Sequence, residues 1–167
     1  VNADSAIEIV SHLSAIGAGG AVMYASGFGE VGEKGSDRTQ RLLEAAGDMP
    51  IIGPNCYGFI NNLDQVALWP DLHGCRAVDK GVAIITQSGN IGLNMTMQSI
   101  GLDIAYMLTL GNQVTIDIAD VMSAMLDDDR VTAIGLHIEG IHDIKAFDAA
   151  ARRAIDKEIP IVAIKSG

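Results

Sequence analysis

Apolar residues along this chain fall into two patterns: short runs in which nearly every position is apolar, and longer stretches in which they recur every three or four residues. The first reads as strands buried on both faces, the second as helices laid across them. Ile7, Ile9, Val10 and Leu13 make one face of a helix that Asn2 or Asp4 can cap and that ends near Ile16, where Gly17-Ala18-Gly19-Gly20 stops it. A strand over 21–25 follows, then the glycine-rich loop 26–32, a helix over 37–46 and a short strand at Ile51 and Ile52. Residues 54–80 carry mixed turn residues with two brief apolar runs, 59–60 and 66–69, and read as a connection between two α/β units. The boundary falls near Val78, giving units 1–77 and 78–167. In the second unit, strands over 82–86, 104–109, 131–138 and 161–164 alternate with helices over 90–100, 116–126 and 144–155. Such alternation implies right-handed crossovers and a parallel sheet, with ligands outside the carboxyl ends of the strands. The informative loops are then 26–32, 53–58, 86–90, 111–115 and 139–143.

One of these loops stands out. The apolar strand ending at Thr86 runs into Gln87, Ser88, Gly89 and Asn90 and then directly into a helix. A sharp turn there leaves unpaired backbone N–H groups at the positive end of the helix dipole, a place suited to a phosphate. An empty Ser-Gly cap is the competing reading.

Composition narrows the class. With 167 residues, 19 glycines, 49% apolar and only 4% aromatic residues, the chain suits close helix-on-sheet packing rather than a β-sandwich. A formal charge of -10 argues against nucleic acid and against an anionic membrane surface. Any phosphate must then be held largely by backbone amides. Cys56 and Cys75 lack a CxxC spacing and four histidines are scattered, so neither a disulfide framework nor a zinc site is indicated, and a reducing cytoplasm is the simplest setting. No stretch reaches the roughly 18 apolar residues that span a bilayer. The chain starts at Val1 and stops at Gly167 just after an apolar strand, which reads as a piece cut at both ends, with exposed sheet edges that favour association.

Five ordered blocks carry a resemblance: Gly53-Pro54-Asn55-Cys56-Tyr57-Gly58, Thr86-Gln87-Ser88-Gly89, Leu110-Gly111-Asn112, Ile138-Glu139-Gly140 and Lys165-Ser166-Gly167. Together they resemble the NDP-forming acyl-CoA synthetases, relatives of the succinyl-CoA synthetase α subunit, over essentially the whole chain. The resemblance implies the C-terminal part of a Rossmann-like CoA-binding domain (1–77) followed by a truncated flavodoxin-like ligase domain with a parallel sheet (78–167). It also implies a reaction in which acid and phosphoryl donor form an acyl phosphate, CoA thiol attacks it, and phosphate moves by way of an enzyme histidine. Coenzyme A and ATP are the implied substrates with a small carboxylic acid, ADP is released, and Mg²⁺ is bound by a nucleotide-grasp domain or subunit outside this chain. An oligomer is expected.

Carried over residue by residue, Gln87, Ser88, Gly89 and Asn90 match the helix start that holds the transferring phosphoryl group. Preorganised amides suit that task because they need not reorganise as charge spreads over the phosphoryl oxygens. Glu139 matches a catalytic glutamate that orients the phosphorylated histidine, a role for which a carboxylate is apt, although a solvated acid at a strand end would look the same. Asn55 and Cys56 match the loop along the pantetheine arm of CoA, and Ser26, Gly27 and Phe28 resemble a second CoA-side loop. Cys56 reads as a small buried hydrophobe rather than a nucleophile.

The departures matter as well. The family's first glycine-rich CoA loop and its histidine segment match nothing here: His12 lies on a helix, His73 in the connector, His137 inside an apolar strand as a satisfied core residue, and His142 beside Glu139 in a different sequence context. Met95, Met97, Met107, Met122 and Met125 read as packing. Asp127-Asp128-Asp129 reads as a solvated helix end and Asp117 and Asp120 as dipole partners, with no metal site. Two other classes fit the same pattern: a noncatalytic CoA- or nucleotide-sensing module attached to an acyltransferase or other partner, and a docking domain with an empty helix cap.

Overall fold

The computed structural model describes residues 2–166; Val1, and Gly167 of the Lys-Ser-Gly block, lie outside the described residues. Asn2 caps α1 (Ala3–Ala15) by accepting the Ser5 N–H at 2.9 Å. The buried face of α1, including Ile7 and Val10, packs with Leu42 and Ala46 of α2 (Glu33–Ala46) and with the fully buried Phe28. Helix α2 starts at Glu33 rather than the expected 37. Gly35, between the expected loop and helix, lies in the first turn of α2, where a Cβ would lie 1.7 Å from the Phe28 carbonyl oxygen, so its glycine serves the contact of helix and loop rather than a break in the helix.

The expected strand 21–25 shrinks to β1 (Ala21–Val22), paired in parallel with β2 (Ile51–Ile52). Met23 still donates to the Ile52 carbonyl at 2.9 Å, but Gly53 then turns beneath it with φ 106°, so no strand continues beside residues 24 and 25.

The second sheet contains β3 (Gly58–Asn61), β4 (Val66–Leu68), β5 (Gly81–Thr86), β6 (Ile104–Thr109), β7 (Val131–Ile138) and β8 (Ile161–Lys165), in the spatial order β4-β3-β6-β5-β7-β8. Strands β6, β5, β7 and β8 are parallel, as expected. The connector 54–80 is more than a link: β3 and β4 form a hairpin whose first strand pairs antiparallel with β6. Asn61 makes its turn by accepting the Leu63 and Asp64 N–H groups, and Gln65 completes it at φ 55°. Although it precedes position 78, the hairpin is therefore hydrogen-bonded into the second sheet.

Helix α3 (Gly89–Thr96) covers one face of this sheet, and α4 (Ile118–Met125) and α5 (Ile144–Asp156) cover the other. Alternation along the strands serves both faces: Ile84 and Met107 pack in one cluster with Met95, while Ala83, Ile85 and Leu108 join Ile118, Met122 and Ala150 in the other. Met97, expected to pack, is exposed instead. It lies past the end of α3, which stops at Thr96 rather than 100. There the side chains of Asn94, Thr96 and Gln98 donate to the Asn90, Leu93 and Asn94 carbonyls. Asp117 and Asp120 form a reciprocal capping box at the start of α4. Of the acidic triplet, Asp128 pairs with Arg130 and Tyr106, and Asp127 with Arg153. No helix among the described residues is long and apolar enough to cross a membrane.

The chain leaves β5 toward β6 on one side and returns across β5 to reach β7 on the other. The loops after β5 and β7 consequently diverge, opening a crevice at the carboxyl end of the sheet.

Candidate functional site

A cavity of about 380 Å³ occupies that crevice, lined by Ser26, Asn55 and Cys56 on the side of the first sheet and by Gln87, Ser88, Gly89, Asn90 and Glu139 on the other. Tyr24 and Tyr57 complete the wall, their rings 5.4 Å apart in an edge-to-face arrangement. Eight of the ten residues proposed from sequence thus converge on one space. Gly27 and Phe28 do not line it; Phe28 is fully buried, and both give their N–H groups to the Glu30 carboxylate beneath the loop.

At the helix start, Ser88 has extended backbone (φ -97°, ψ 121°) and its hydroxyl accepts the Ile91 N–H at 3.4 Å. Its own N–H donates to Thr86 Oγ1 at 3.0 Å. That leaves the Gly89 and Asn90 amides, the first two of α3, without a protein acceptor among the described residues and facing the cavity. Gly89 is obligatory, because a Cβ would sit 2.3 Å from the Tyr57 ring. No Lys or Arg is among the lining residues, so an anion here meets amide dipoles in an acidic protein.

Gln87 has a different task from its neighbours. Its side-chain oxygen accepts the Glu139 and Gly140 N–H groups at 2.6 and 2.8 Å, and its side-chain nitrogen donates to the Gly140 carbonyl. Its amide is committed to the loop after β7, and it thereby fixes where Glu139 emerges. Glu139 is exposed and lines both this cavity and a second of about 370 Å³ that includes Glu30, Asn112 and His142.

The loop 53–58 is held from below. Asn112 and Val114 donate to the Pro54 and Gly53 carbonyls, and Gly111 (φ 54°) comes so close that a Cβ would lie 2.1 Å from the Pro54 oxygen. Gly53-Pro54 is a cis peptide and Asn55 has φ 59°. Cys56 is buried with its sulfur against the Met23 and Ile52 carbonyls, and burial pushes the thiol up to about 11. It remains a neutral thiol at physiological pH, as the reading of a small hydrophobe expects.

The sequence reading took His137 as a core histidine but did not place it in a row of buried polar side chains with Thr86 and Thr109 beneath the cavity. Thr109 and Thr86 end β6 and β5, His137 is the last residue but one of β7, the three lie in the same register, and all are buried. Thr109 Oγ1 accepts the Tyr57 and Gly58 N–H groups at 2.8 and 2.9 Å, and Thr86 Oγ1 accepts that of Ser88. His137 Nδ1 lies 3.1 Å from Thr86 Oγ1, and Nε2 lies 3.0 Å from Ser166 Oγ. It is the satisfied core histidine that its strand context predicts. The available signal was a hydroxyl closing an otherwise apolar strand just before a loop.

Comparison with known proteins places the sequence and fold in a family. Residues 79–167 match the family described as succinyl-CoA ligase like flavodoxin domain. The α subunit of the ADP-forming acetate–CoA ligase II of Pyrococcus furiosus is 36% identical over 159 residues, covering 90% of this chain and 33% of that protein. A trans-feruloyl-CoA synthase from an unknown prokaryotic organism is 33% identical over 168 residues, 96% of this chain and 24% of that protein. The dinucleotide forming acetyl-coenzyme A synthetase 1 of Ca. Korarchaeum cryptofilum, solved in complex with phosphate and ADP, superimposes with a TM-score of 0.85 at 25% identity, over 100% of this chain and 36% of that one. The chain spans between about a quarter and just over a third of the length of these relatives. With its flavodoxin-like second unit and the loop blocks gathered at the switch of its sheet, the chain belongs to the NDP-forming acyl-CoA synthetases.

Proposed function

We propose that this chain supplies the CoA-side wall and the phosphoryl-holding helix start of an enzyme that makes acyl-CoA from a carboxylic acid, CoA and ATP, releasing ADP and phosphate. The observation that carries the reading is the pair of open amides at Gly89 and Asn90, facing a cavity shared with the 53–58 loop and Glu139. An acyl phosphate held there would have its phosphoryl oxygens on preorganised donors, and a thiol arriving along Asn55 and Cys56 would reach the acyl carbon from the opposite wall. The thiol gives up its proton as its carbon–sulfur bond forms and the acyl carbon–oxygen bond to phosphate breaks, and inorganic phosphate, held at first on the amides, takes that proton and is released. Ser88, Gly89 and Asn90 hold the phosphoryl group; Gln87 positions the loop of Glu139; Glu139 orients the histidine that takes the phosphoryl group from ATP and passes it to the acid.

That histidine, and the nucleotide-grasp portion that binds ATP and Mg²⁺, are assigned to residues outside this chain, either further along the same polypeptide or on a partner subunit. The Pyrococcus furiosus relative is itself named an α subunit, which supports a partnered enzyme. Ser26, Gly27 and Phe28 form the second CoA-side loop, with Ser26 at the cavity and the other two shaping its backbone. Residues 1–77 act as the CoA-binding part and 78–167 as the ligase part, with the hairpin bridging them. The two free cysteines fit a reducing cytoplasm.

The test uses the protein that contains this chain. Incubated with ATP, Mg²⁺, CoA and a panel of carboxylic acids, it should release ADP and no AMP, in a manner dependent on both acid and CoA. CoA binding without turnover on any acid would favour a sensing module instead.

A further inference from the structure

His137 is a buried imidazole that the proposed reaction does not use. Both of its ring nitrogens have partners, and one of those partners leads to the helix start. Strand pairing sets Thr86 opposite His137, and His137 opposite Ile164 of β8, two residues before Ser166. Ser166 is fixed beside β7 by its own N–H, which donates to the Ile138 carbonyl at 2.9 Å. Above the row, α3 passes so closely that a Cβ on Gly92 would lie 2.5 Å from the Thr109 methyl and 3.2 Å from the Thr86 methyl. The Thr86 side chain is therefore held from above by a helix and from the side by a histidine.

Between the two neutral tautomers of His137, proton counting selects one. Thr86 Oγ1 accepts the Ser88 N–H at 3.0 Å and lies 3.3 Å from the Ser88 carbonyl oxygen and 3.1 Å from His137 Nδ1. The hydroxyl has one proton and two lone pairs. If His137 carries its proton on Nδ1, Thr86 accepts from both Ser88 and His137 and donates to the Ser88 carbonyl, while Nε2 accepts the Ser166 hydroxyl. Four hydrogen bonds are then made. With the proton on Nε2, Thr86 gives its proton to Nδ1 and its bond to the Ser88 carbonyl is lost, leaving three. Buried polar groups favour the fully bonded arrangement.

We infer that His137, as the Nδ1–H tautomer, is a positioning residue: through Thr86 it fixes the Ser88 peptide and so aims the Gly89 and Asn90 amides, and through Ser166 it ties the end of β8 to the same turn. The reaction role rests on the function proposed above; the link between His137 and the turn does not.

Nuclear magnetic resonance on the 167-residue chain separates the two. Long-range ¹H–¹⁵N spectra should show His137 protonated on Nδ1 and bare on Nε2. His137→Leu, which leaves Thr86 without its imidazole donor, should speed hydrogen exchange of the Ser88 amide by roughly tenfold. His137→Asn, whose side-chain nitrogen can replace Nδ1–H, should restore it to within about twofold. Combining Thr86→Val with His137→Leu should add little beyond Thr86→Val alone, because both act through one hydroxyl. An Nε2–H tautomer, or a Ser88 amide indifferent to His137→Leu in a variant that keeps the wild-type spectrum elsewhere, overturns the inference. Titration with inorganic phosphate then addresses the proposed function separately: shifts confined to Gly89, Asn90 and their neighbours support it, and their absence counts against the phosphate reading while leaving the tautomer and exchange results to decide the role of His137.

Discussion

Cys56 shows how one residue's surroundings separate two readings that share a sequence. It lines the cavity at the point where a thiol chemistry would be attractive, yet its sulfur faces two carbonyls and no positive charge is placed to stabilise a thiolate. Burial raises its pKa from 9 to about 11, which lowers the thiolate fraction at neutral pH by about a hundredfold relative to an ordinary cysteine. The sign is fixed by the charge: the neutral form is favoured, so reactivity should appear only as pH climbs past the ordinary thiol range. In the folded chain at pH 7.5, iodoacetamide should leave Cys56 unmodified while modifying a denatured control fully, as read by peptide mass spectrometry. Rapid native labelling of Cys56 would mean an environment unlike the one described. Gly89 makes the complementary point, since what it provides is the missing Cβ that lets Tyr57 stand against the helix start.

Among the elements, the long apolar runs and capped helices were legible because their pattern and their boundaries agree. β7 matches the expected 131–138 and α5 extends one residue beyond the expected 144–155, starting at an Asp143 cap. The hairpin read from sequence only as a connector with two brief apolar runs, because runs so short around an Asn-Leu-Asp-Gln turn do not state whether they pair or which edge they join. That choice is tertiary, fixed where β3 meets β6 and where Thr109 takes the N–H groups of Tyr57 and Gly58. The cavity residues were legible from loop blocks and His137 as a core histidine from its apolar strand, whereas the hydrogen-bonding roles of Thr86 and Thr109 were hidden, because which side chains meet across β6, β5 and β7 is set by tertiary pairing. Thr109 is accordingly the element-level test. Thr109→Val keeps the shape and removes the acceptor, leaving two N–H groups unpaired, and should cost about 2–4 kcal/mol in urea denaturation. Thr109→Ser, which keeps the hydroxyl, should recover most of that. A loss in Thr109→Ser with little loss in Thr109→Val would assign the effect to packing of the methyl beside Gly92 instead.

At the scale of the molecule, the site exists only because two sheets are held in one relation, and Glu30 is the clearest tie between them. Its carboxylate accepts the Gly27 and Phe28 N–H groups of the first unit and the Asn112 side-chain amide of the second, while Arg38 holds the Gly27 carbonyl from the other side. Partial burial pulls its pKa up, but the hydrogen bonds from Gly27, Asn112 and Phe28 outweigh this and hold it below the ordinary 4.5. A carboxyl with a depressed folded pKa adds stability above its unfolded value, and that contribution disappears as pH falls below about 4.5 toward the folded value. Glu30→Gln keeps the shape and an acceptor oxygen but removes the charge, and because the side chain is largely exposed its cost at pH 7 should be only about 1 kcal/mol. Thermal unfolding of the two proteins should therefore differ at pH 7 and converge as the pH is lowered toward 3. A gap that persists at low pH would locate the loss in geometry rather than charge. If the tie also sets the position of the 26–32 loop, whose Ser26 lines the first cavity, the same variant should weaken CoA binding to the chain while leaving the exchange of the Ser88 amide unchanged, because Glu30 touches none of the residues that hold the Ser88 peptide.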